Sequence, residues 1–250
     1  MNAHAYDALY ASGLTGSRIT RWCQQQVFGT EDAGDLHAWS WASRGEFDSL
    51  RNALALAPGE TLADFGCGQG GPGLLIAAQS QAKLIGLDQS AVAISNAQQW
   101  YLVTTKAVQA QFVQKDILQS GLQAASLDGA MSIDVVQLLS DHHLFFREVA
   151  RCLKAQKVFA FATYTVPGMP GTQNYRPALE KAGFKVEHYA PTAGWRDRYR
   201  LLFNYILANK HTLRNEVGQI ADVLITEANF LLSMIDNPQL ERLVIVARKR

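Results

Sequence analysis

TLADFGCGQGGPG (61–73) places five glycines and a proline in the ten residues from Asp64 to Gly73, directly after a short apolar run. Glycine at that density costs conformational entropy on folding, so the loop must need unusual dihedrals or a main chain that something approaches closely. The apolar run reads as a buried strand over 61–66. GPGLLIAAQS (71–80) reads as the helix that leaves the turn.

Outward from this turn the same rhythm repeats. KLIGLD (83–88) reads as a second strand and SAVAISNAQQWYLVTT (90–105) as its helix. QFVQKD (111–116), LDGAMSID (127–134) and KVFAFATY (157–164) read as the third, fourth and fifth strands. Asp141 is the expected N-cap of DHHLFFREVARCL, a helix with Phe145, Val149 and Leu153 on one face. Strands alternating with helices predict right-handed βαβ units and a mostly parallel sheet with helices on both faces. Such sheets hold ligands beyond the carboxyl ends of their strands, near the point where strand order reverses. Asp64, Asp88, Asp116 and Asp134 all fall at or near a strand end. Any one of them alone reads as well as a strand-end cap.

The flanks have a different texture. SRITRWCQQQVFG (17–29) reads as a short helix with Ile19, Trp22, Cys23 and Val27 as its stripe. GWRDRYRLLFNYILANK (194–210) puts Tyr199, Phe203 and Ile206 on one face, and Leu213, Val217, Ile220, Leu224 and Leu231 continue the period. These segments predict a helical hairpin between strands KVEHYA (185–190) and RLVIVARK (242–249), serving as a cap, as extra core or as a dimer face. The expected organisation is one domain over 1–250: an N-terminal helical cover (1–55), a core (56–192 and 236–250) and a cap insertion (193–235).

Composition narrows the partners. In 250 residues, 48% are apolar, 18% are charged and the net charge is +1, which gives no bulk electrostatic attraction for nucleic acid. Three scattered cysteines without CxxC spacing argue against a disulfide framework or zinc site and suit a reducing cytoplasm. No secretory leader is legible at the start, and no apolar run approaches the roughly 20 residues of a membrane span. The expected partner is a small molecule, with no nucleic acid, membrane or metal, for a cytoplasmic monomer or homodimer.

Three cofactor classes compete for the glycine loop. A nucleoside triphosphate needs GxxxxGK[ST], and GCGQGGPG contains no lysine, serine or threonine. A dinucleotide is satisfied by Gly66, Gly68 and Gly71 as GxGxxG, with Asp88 placed 20 residues beyond Gly68. The acid at Asp64 and the equally good GxGxG through Gly66, Gly68 and Gly70 count against it.

The third class rests on a resemblance. DFGCGQGGPGLLIA, KLIGLDQS and FVQKDIL are similar to the motif series of class I S-adenosylmethionine (SAM)-dependent methyltransferases, with (D/E)xGxGxG on Asp64, Gly66, Gly68 and Gly70. The GGP continuation is similar to the small-molecule branch acting on sarcosine-type amines, sterol-like lipids and antibiotic scaffolds. RLVIVARK resembles the antiparallel last strand of that fold, which implies a Rossmann-like seven-stranded sheet. The resemblance implies that Gly66, Cys67 and Gly68 face the ribose and methionine portions and that Asp88 accepts the ribose hydroxyls. It further implies Asp116 on the adenine amine, Ile117 against the ring, Asp64 toward the amino end, and Gln89 and Ser132 at the cofactor. Two features depart from the family. AQK (155–157), which reads as a turn far from the chemistry, replaces the usual PGG, and the histidine common in the fourth-strand segment falls at Leu138, so the family's substrate-side base does not carry over.

Methyl transfer needs alignment and water exclusion, and a base only where the acceptor must lose a proton. His142 and His143 at a helix N-terminus, Asp134 at a strand tip and Tyr164 ending the fifth strand are the candidates for that base. Each has a structural reading as well. LHAWSWAS (36–43) resembles the segment before the first strand in small-molecule methyltransferases, which implies His37, Trp39 and Trp41 at the pocket entrance. Tyr6 and Tyr10 at helical spacing, and Trp195 and Arg196 opening the insertion, complete the substrate-side set. This aromatic collection predicts a flat aromatic or heterocyclic acceptor, with its acceptor atom (N, O or C) open. An NAD-dependent oxidoreductase and a non-catalytic SAM-binding protein are the competing readings.

Overall fold

In the computed structural model, which describes residues 3–29, 40–104 and 108–250, the run 61–65 forms the strand beside which strand order reverses. The strands are β1 (Thr61–Phe65), β2 (Lys83–Asp88), β3 (Ala110–Gln114), β4 (Leu127–Ile133), β5 (Leu153–Thr165), β6 (Phe184–Pro191) and β7 (Glu241–Lys249). They form one seven-stranded sheet in the order β3-β2-β1-β4-β5-β7-β6. The pairs from β3 to β5 are parallel, and β7 runs antiparallel to both β5 and β6. The expected Rossmann-like sheet is thus present, antiparallel last strand included.

The central strands read as unbroken apolar runs because helices cover both faces; all seven residues of β4 are buried. Alternation along β5 sends Val158, Ala160 and Ala162 to one face and Phe159 and Phe161 to the other. The first face packs on α3 (Arg44–Leu54), α4 (Gly71–Ser80) and α5 (Ala91–Thr104) through Phe47, Leu50, Leu74, Ile76 and Ile94. The second packs on α6 (His142–Cys152) and α7 (Arg176–Lys181) through Phe145, Phe146, Val149 and Leu179. Asp141 caps α6 as expected, its carboxylate accepting the Leu144 amide at 2.8 Å. Helix α3 carries a legible signal that the sequence reading passed over: Ser43 and Glu46 form a capping box before Phe47 and Leu50.

Two local expectations change. The AQK segment is a bulge inside β5 rather than a turn before it, because pairing jumps from Leu127–Leu153 to Gly129–Val158 while Gln156 takes φ 62°. Between β6 and β7 the chain makes three helices, α8 (Trp195–Ala208), α9 (Lys210–Val217) and α10 (Ala221–Met234), instead of a two-helix hairpin. Gly218, with φ 73°, supplies the break that the apolar period alone does not reveal. The stripe from Tyr199 to Leu231 shares a third apolar core with Leu9, Leu14, Cys23, Trp41 and Tyr164. That core joins the insertion to α1 (Ala3–Ala11) and α2 (Arg18–Phe28) over the end of β5. No helix among the described residues is long and apolar enough to cross a membrane.

Candidate cofactor and acceptor site

The glycine loop is stitched to the end of β2. The Gly66 and Cys67 amides both donate to the Leu87 carbonyl, at 2.8 and 2.9 Å, and the Gly68 amide donates to Asp88 Oδ2 at 2.9 Å. Gly66, Gly68 and Gly70 take φ of 80°, 52° and 84°, which favour glycine. A Cβ on these residues would strike the protein's own side chains: Val135 at 2.4 Å, the Tyr10 hydroxyl at 2.7 Å and Phe112 at 2.5 Å respectively. The bareness of the loop therefore answers first to dihedral need and internal packing, more than to the press of a ligand.

Around the loop stand the acids. Asp88 is nearly buried and accepts one main-chain amide on each oxygen, from Gly68 and from Ser90, both at 2.9 Å. Asp64 is 2% exposed, and no hydrogen bond from the described residues reaches its carboxylate. Burial, reinforced by repulsion from Asp88, pushes its pKa up to about 7. Asp116 is exposed and caps the turn Ile117–Gln119 through the Leu118 amide at 2.9 Å, while Ile117 beside it is buried. Gln89 is exposed, with its carbonyl bonded by the Gln114 side chain at 3.1 Å. Ser132 is wholly buried and donates to the Phe65 carbonyl at 2.7 Å, which ties β4 to β1.

Helix α1 is pinned beside these acids by Asp7, which the sequence reading missed. Asp7 Oδ1 accepts from Ser90 Oγ at 2.5 Å and from the Val92 amide at 3.2 Å. This anchoring sets Tyr10 against Gly68 and leaves the Tyr6 phenol within electrostatic reach of both Asp88 and Glu227. Burial first, and then those two carboxylates, raise the Tyr6 pKa.

The opposite wall centres on a buried cation. Arg242 is fully buried on β7, bonds Glu46 Oε1 through Nε at 2.7 Å, pairs with Asp134 and lies 4.7 Å from the Tyr164 ring centre. Asp134, at φ 58°, also accepts from Ser40 Oγ at 2.8 Å. The Tyr164 hydroxyl donates to Tyr199 at 2.8 Å, and Tyr199 donates to the Trp41 carbonyl at 2.9 Å. Trp41 Nε1 then donates to Glu227 Oε1, on α10, at 2.9 Å. Burial pushes the Glu227 carboxyl up to about 7, with Asp134 adding repulsion and Trp41 opposing the shift.

Several expected residues lie apart from this wall or are engaged within it. His142 is buried between Phe146 and Tyr175, with Nε2 at 2.9 Å from the Val136 carbonyl, and burial lowers its pKa. His143 is half-buried on the next position of α6. Trp195 donates to Glu241 at 3.1 Å, and Arg196 stacks on it while bonding the Ile235 and Leu240 carbonyls, so both fasten α8 to the α10–β7 junction. His37 and Trp39 lie outside the described residues. Besides Asp7, the sequence reading missed Glu46, Arg242 and Glu227. Only the Ser43–Glu46 box offered any signal for them.

Strand order, antiparallel β7 and an acidic glycine loop between β1 and α4 together define the class I methyltransferase architecture. Residues 63–161 match the family model described as a methyltransferase domain. An O-methyltransferase of Aspergillus nomiae is 26% identical over 184 residues, covering 62% of this chain and 82% of the relative. An O-methyltransferase of Aspergillus sclerotiorum is 22% identical over 217 residues, covering 75% and 81%. The cyclopropane synthase MmaA2 of Mycobacterium tuberculosis superposes with a TM-score of 0.76 over 97% of this chain and 98% of that one, at 15% identity. Residues 63–161 thus match a methyltransferase domain, within a fold that is that of the class I SAM-dependent methyltransferases.

The residues fit that cofactor. An ionised carboxylate has about four acceptor positions, and the main-chain amides of Gly68 on the loop and of Ser90 after β2 do not exhaust those of Asp88, which leaves capacity for a ribose hydroxyl. Asp64, buried and without a hydrogen bond from the described residues, complements a positive group.

Proposed function

We propose that this methyltransferase alkylates a hydroxyl of a small, flat aromatic or heterocyclic metabolite, in secondary metabolism. The observation that carries this reading is the aromatic wall of Tyr6, Tyr10 and Trp41, which runs from the glycine loop to the buried core under α8 and α10. Aromatic faces suit a flat acceptor and also attract a cation by roughly 0.5–2 kcal/mol. The O-methyltransferase relatives favour oxygen as the acceptor atom.

In this reading 1–250 is one domain, in which 1–55 and the insertion 193–235 cover a core of 56–192 and 236–250. SAM supplies a methyl carbon on a sulfonium centre whose leaving thioether needs no proton. Asp88 holds the ribose diol, Asp116 the adenine amine beside Ile117, and the main chain of Gly66–Gly68 the methionine arm. Asp64 faces the amino end, where a positive charge restores the ionised form that burial disfavours. The cover and insertion, sharing one apolar core, keep water from the methyl group and hold the acceptor in line.

The test is calorimetric titration with S-adenosylhomocysteine (SAH) beside NAD, followed by SAH release from SAM with a panel of phenols, amines and carbon acids. Micromolar binding of SAH alone and turnover on phenols are expected. Turnover confined to amines or carbon acids would sink the oxygen assignment.

A further inference from the structure

Glu227 is a carboxylate in an unusual place. It sits on α10, among Leu224, Ala228 and Leu231 of the buried stripe, and is itself half-buried. Oε1 is fixed by Trp41 Nε1 at 2.9 Å, and Trp41 is held by the Tyr199 hydroxyl on its carbonyl and by Phe203 edge-on at 5.8 Å. Oε2 accepts no hydrogen bond from the described residues. No cation pairs with Glu227 among them, and the Arg242 guanidinium is engaged by Glu46 and Asp134.

The groups facing Glu227 come from four elements. Tyr6 lies on α1, Trp41 precedes α3, Asp134 follows β4, and Tyr199 on α8 stands behind Trp41. Tyr6, one turn of α1 before the Tyr10 that rests against Gly68, packs on the apolar core that includes Trp41, so α1 links the glycine loop to the tryptophan that holds Glu227. The other candidate bases are less free. Asp134 has both oxygens engaged, by Ser40 and Arg242, and Tyr164 donates its proton to Tyr199. His142 is packed on the far side of the sheet with α6.

We propose that Glu227 is the catalytic base, taking the proton of the acceptor hydroxyl through Oε2 while Trp41 holds Oε1. The proposal rests on the hydroxyl reading given above. The acceptor O–H proton passes to Oε2 and the oxygen's electron pair forms the bond to the methyl carbon. The C–S pair returns to sulfur, leaving a neutral thioether, a methyl ether and a protonated Glu227 that gives its proton to water. A carboxyl whose pKa lies near the working pH is matched to this task. Burial and Asp134 place Glu227 there.

The test compares Glu227→Gln with the wild-type enzyme on substituted phenols, from un-ionised 4-methoxyphenol to 4-nitrophenol, which is ionised at pH 8. The expected result is a loss of 100-fold or more in kcat on the un-ionised phenols, under 3-fold on the nitrophenolate, and SAH affinity within 2-fold. Equal losses on both phenols, or none on either, overturn the proposal. Trp41→Phe gives an independent readout and does not depend on the glutamine variant folding. Removing the Trp41 hydrogen bond should move the acidic limb of the wild-type pH–rate profile to higher pH, and an unmoved limb overturns the proposal. If the wild-type enzyme binds SAH yet methylates only amines or carbon acids, the base assignment falls with the hydroxyl reading while the methyltransferase class stands.

Discussion

The Gly68 amide donates to Asp88 Oδ2 at 2.9 Å, which makes the glycine loop and the acid after β2 one mechanical unit. Asp88→Ala removes this tether and, in the proposed function, the ribose acceptor as well. Two charge-assisted hydrogen bonds at roughly 1.5–3 kcal/mol each correspond to a loss of about 100-fold or more in SAH affinity. Calorimetry, with circular dichroism to check the fold, measures it. An unchanged affinity in the folded variant would remove Asp88 from the ribose.

Asp64 sets a pH dependence. Its carboxyl is raised from 3.8 to about 7 in the folded chain, so between those values the native state holds a proton that the unfolded chain has lost. Stability therefore falls as pH rises through that window, and the full cost is present above pH 7. At about 1.4 kcal/mol per unit the cost has an upper bound of about 4 kcal/mol. Asp64→Asn should melt several degrees above the wild type at pH 8, with the gap closing toward pH 4, and should bind SAH more weakly. A gap independent of pH would show that the carboxyl titrates normally.

Tyr10 and Gly68 should be coupled. Gly68→Ala forces a Cβ within 2.7 Å of the Tyr10 hydroxyl at φ 52°. Backbone strain of this kind costs on the order of 1–3 kcal/mol. Tyr10→Phe removes the nearest atom, so the double variant should recover part of the loss in a denaturant melt. Strict additivity would mean that the helix α1 tyrosine does not rest on the loop.

Where sequence legibility ended has a physical reason. Asp64, Gly66, Gly68 and Asp88 are readable because their spacing is imposed by one local strand–turn–helix–strand unit, and strand boundaries followed from apolar runs that helices bury on both faces. Arg242, Glu46 and Asp134 meet only through the sheet, over separations of 196 and 108 residues. The capping box marks Glu46 and the strand end marks Asp134, but no local pattern marks their pairing with Arg242, which reads simply as the first residue of an apolar strand. Glu227 is hidden for a similar reason: within α10 it reads as one polar residue between apolar ones, and only Trp41, 186 residues away, gives it a partner. The aromatic residues were legible as a group. Which of them stand against the glycine loop, like Tyr10, and which, like Trp195, brace a junction depended on helix packing that periodicity does not encode.

The buried cation at Arg242 yields the last expectation. Its guanidinium is fully buried between Glu46 and Asp134, and its Nη2 finds no acceptor among the described residues. Removing one member of such a cluster leaves uncompensated buried charge, at roughly 3–5 kcal/mol. Arg242→Met should therefore lower the melting temperature by on the order of 10 °C, at about 2–4 °C per kcal/mol for a chain of this size. If uncompensated charge is the cause, adding Glu46→Gln and Asp134→Asn should restore more than half of the loss, since neutral replacement of a whole buried ionic cluster is often tolerated. The triple variant should also keep its affinity for SAH, because none of the three residues touches the loop at Gly66–Gly70. Failure of the triple variant to recover would mean that Arg242 contributes through its stacking on Tyr164 and its volume, and that the two carboxylates tolerate one another without it.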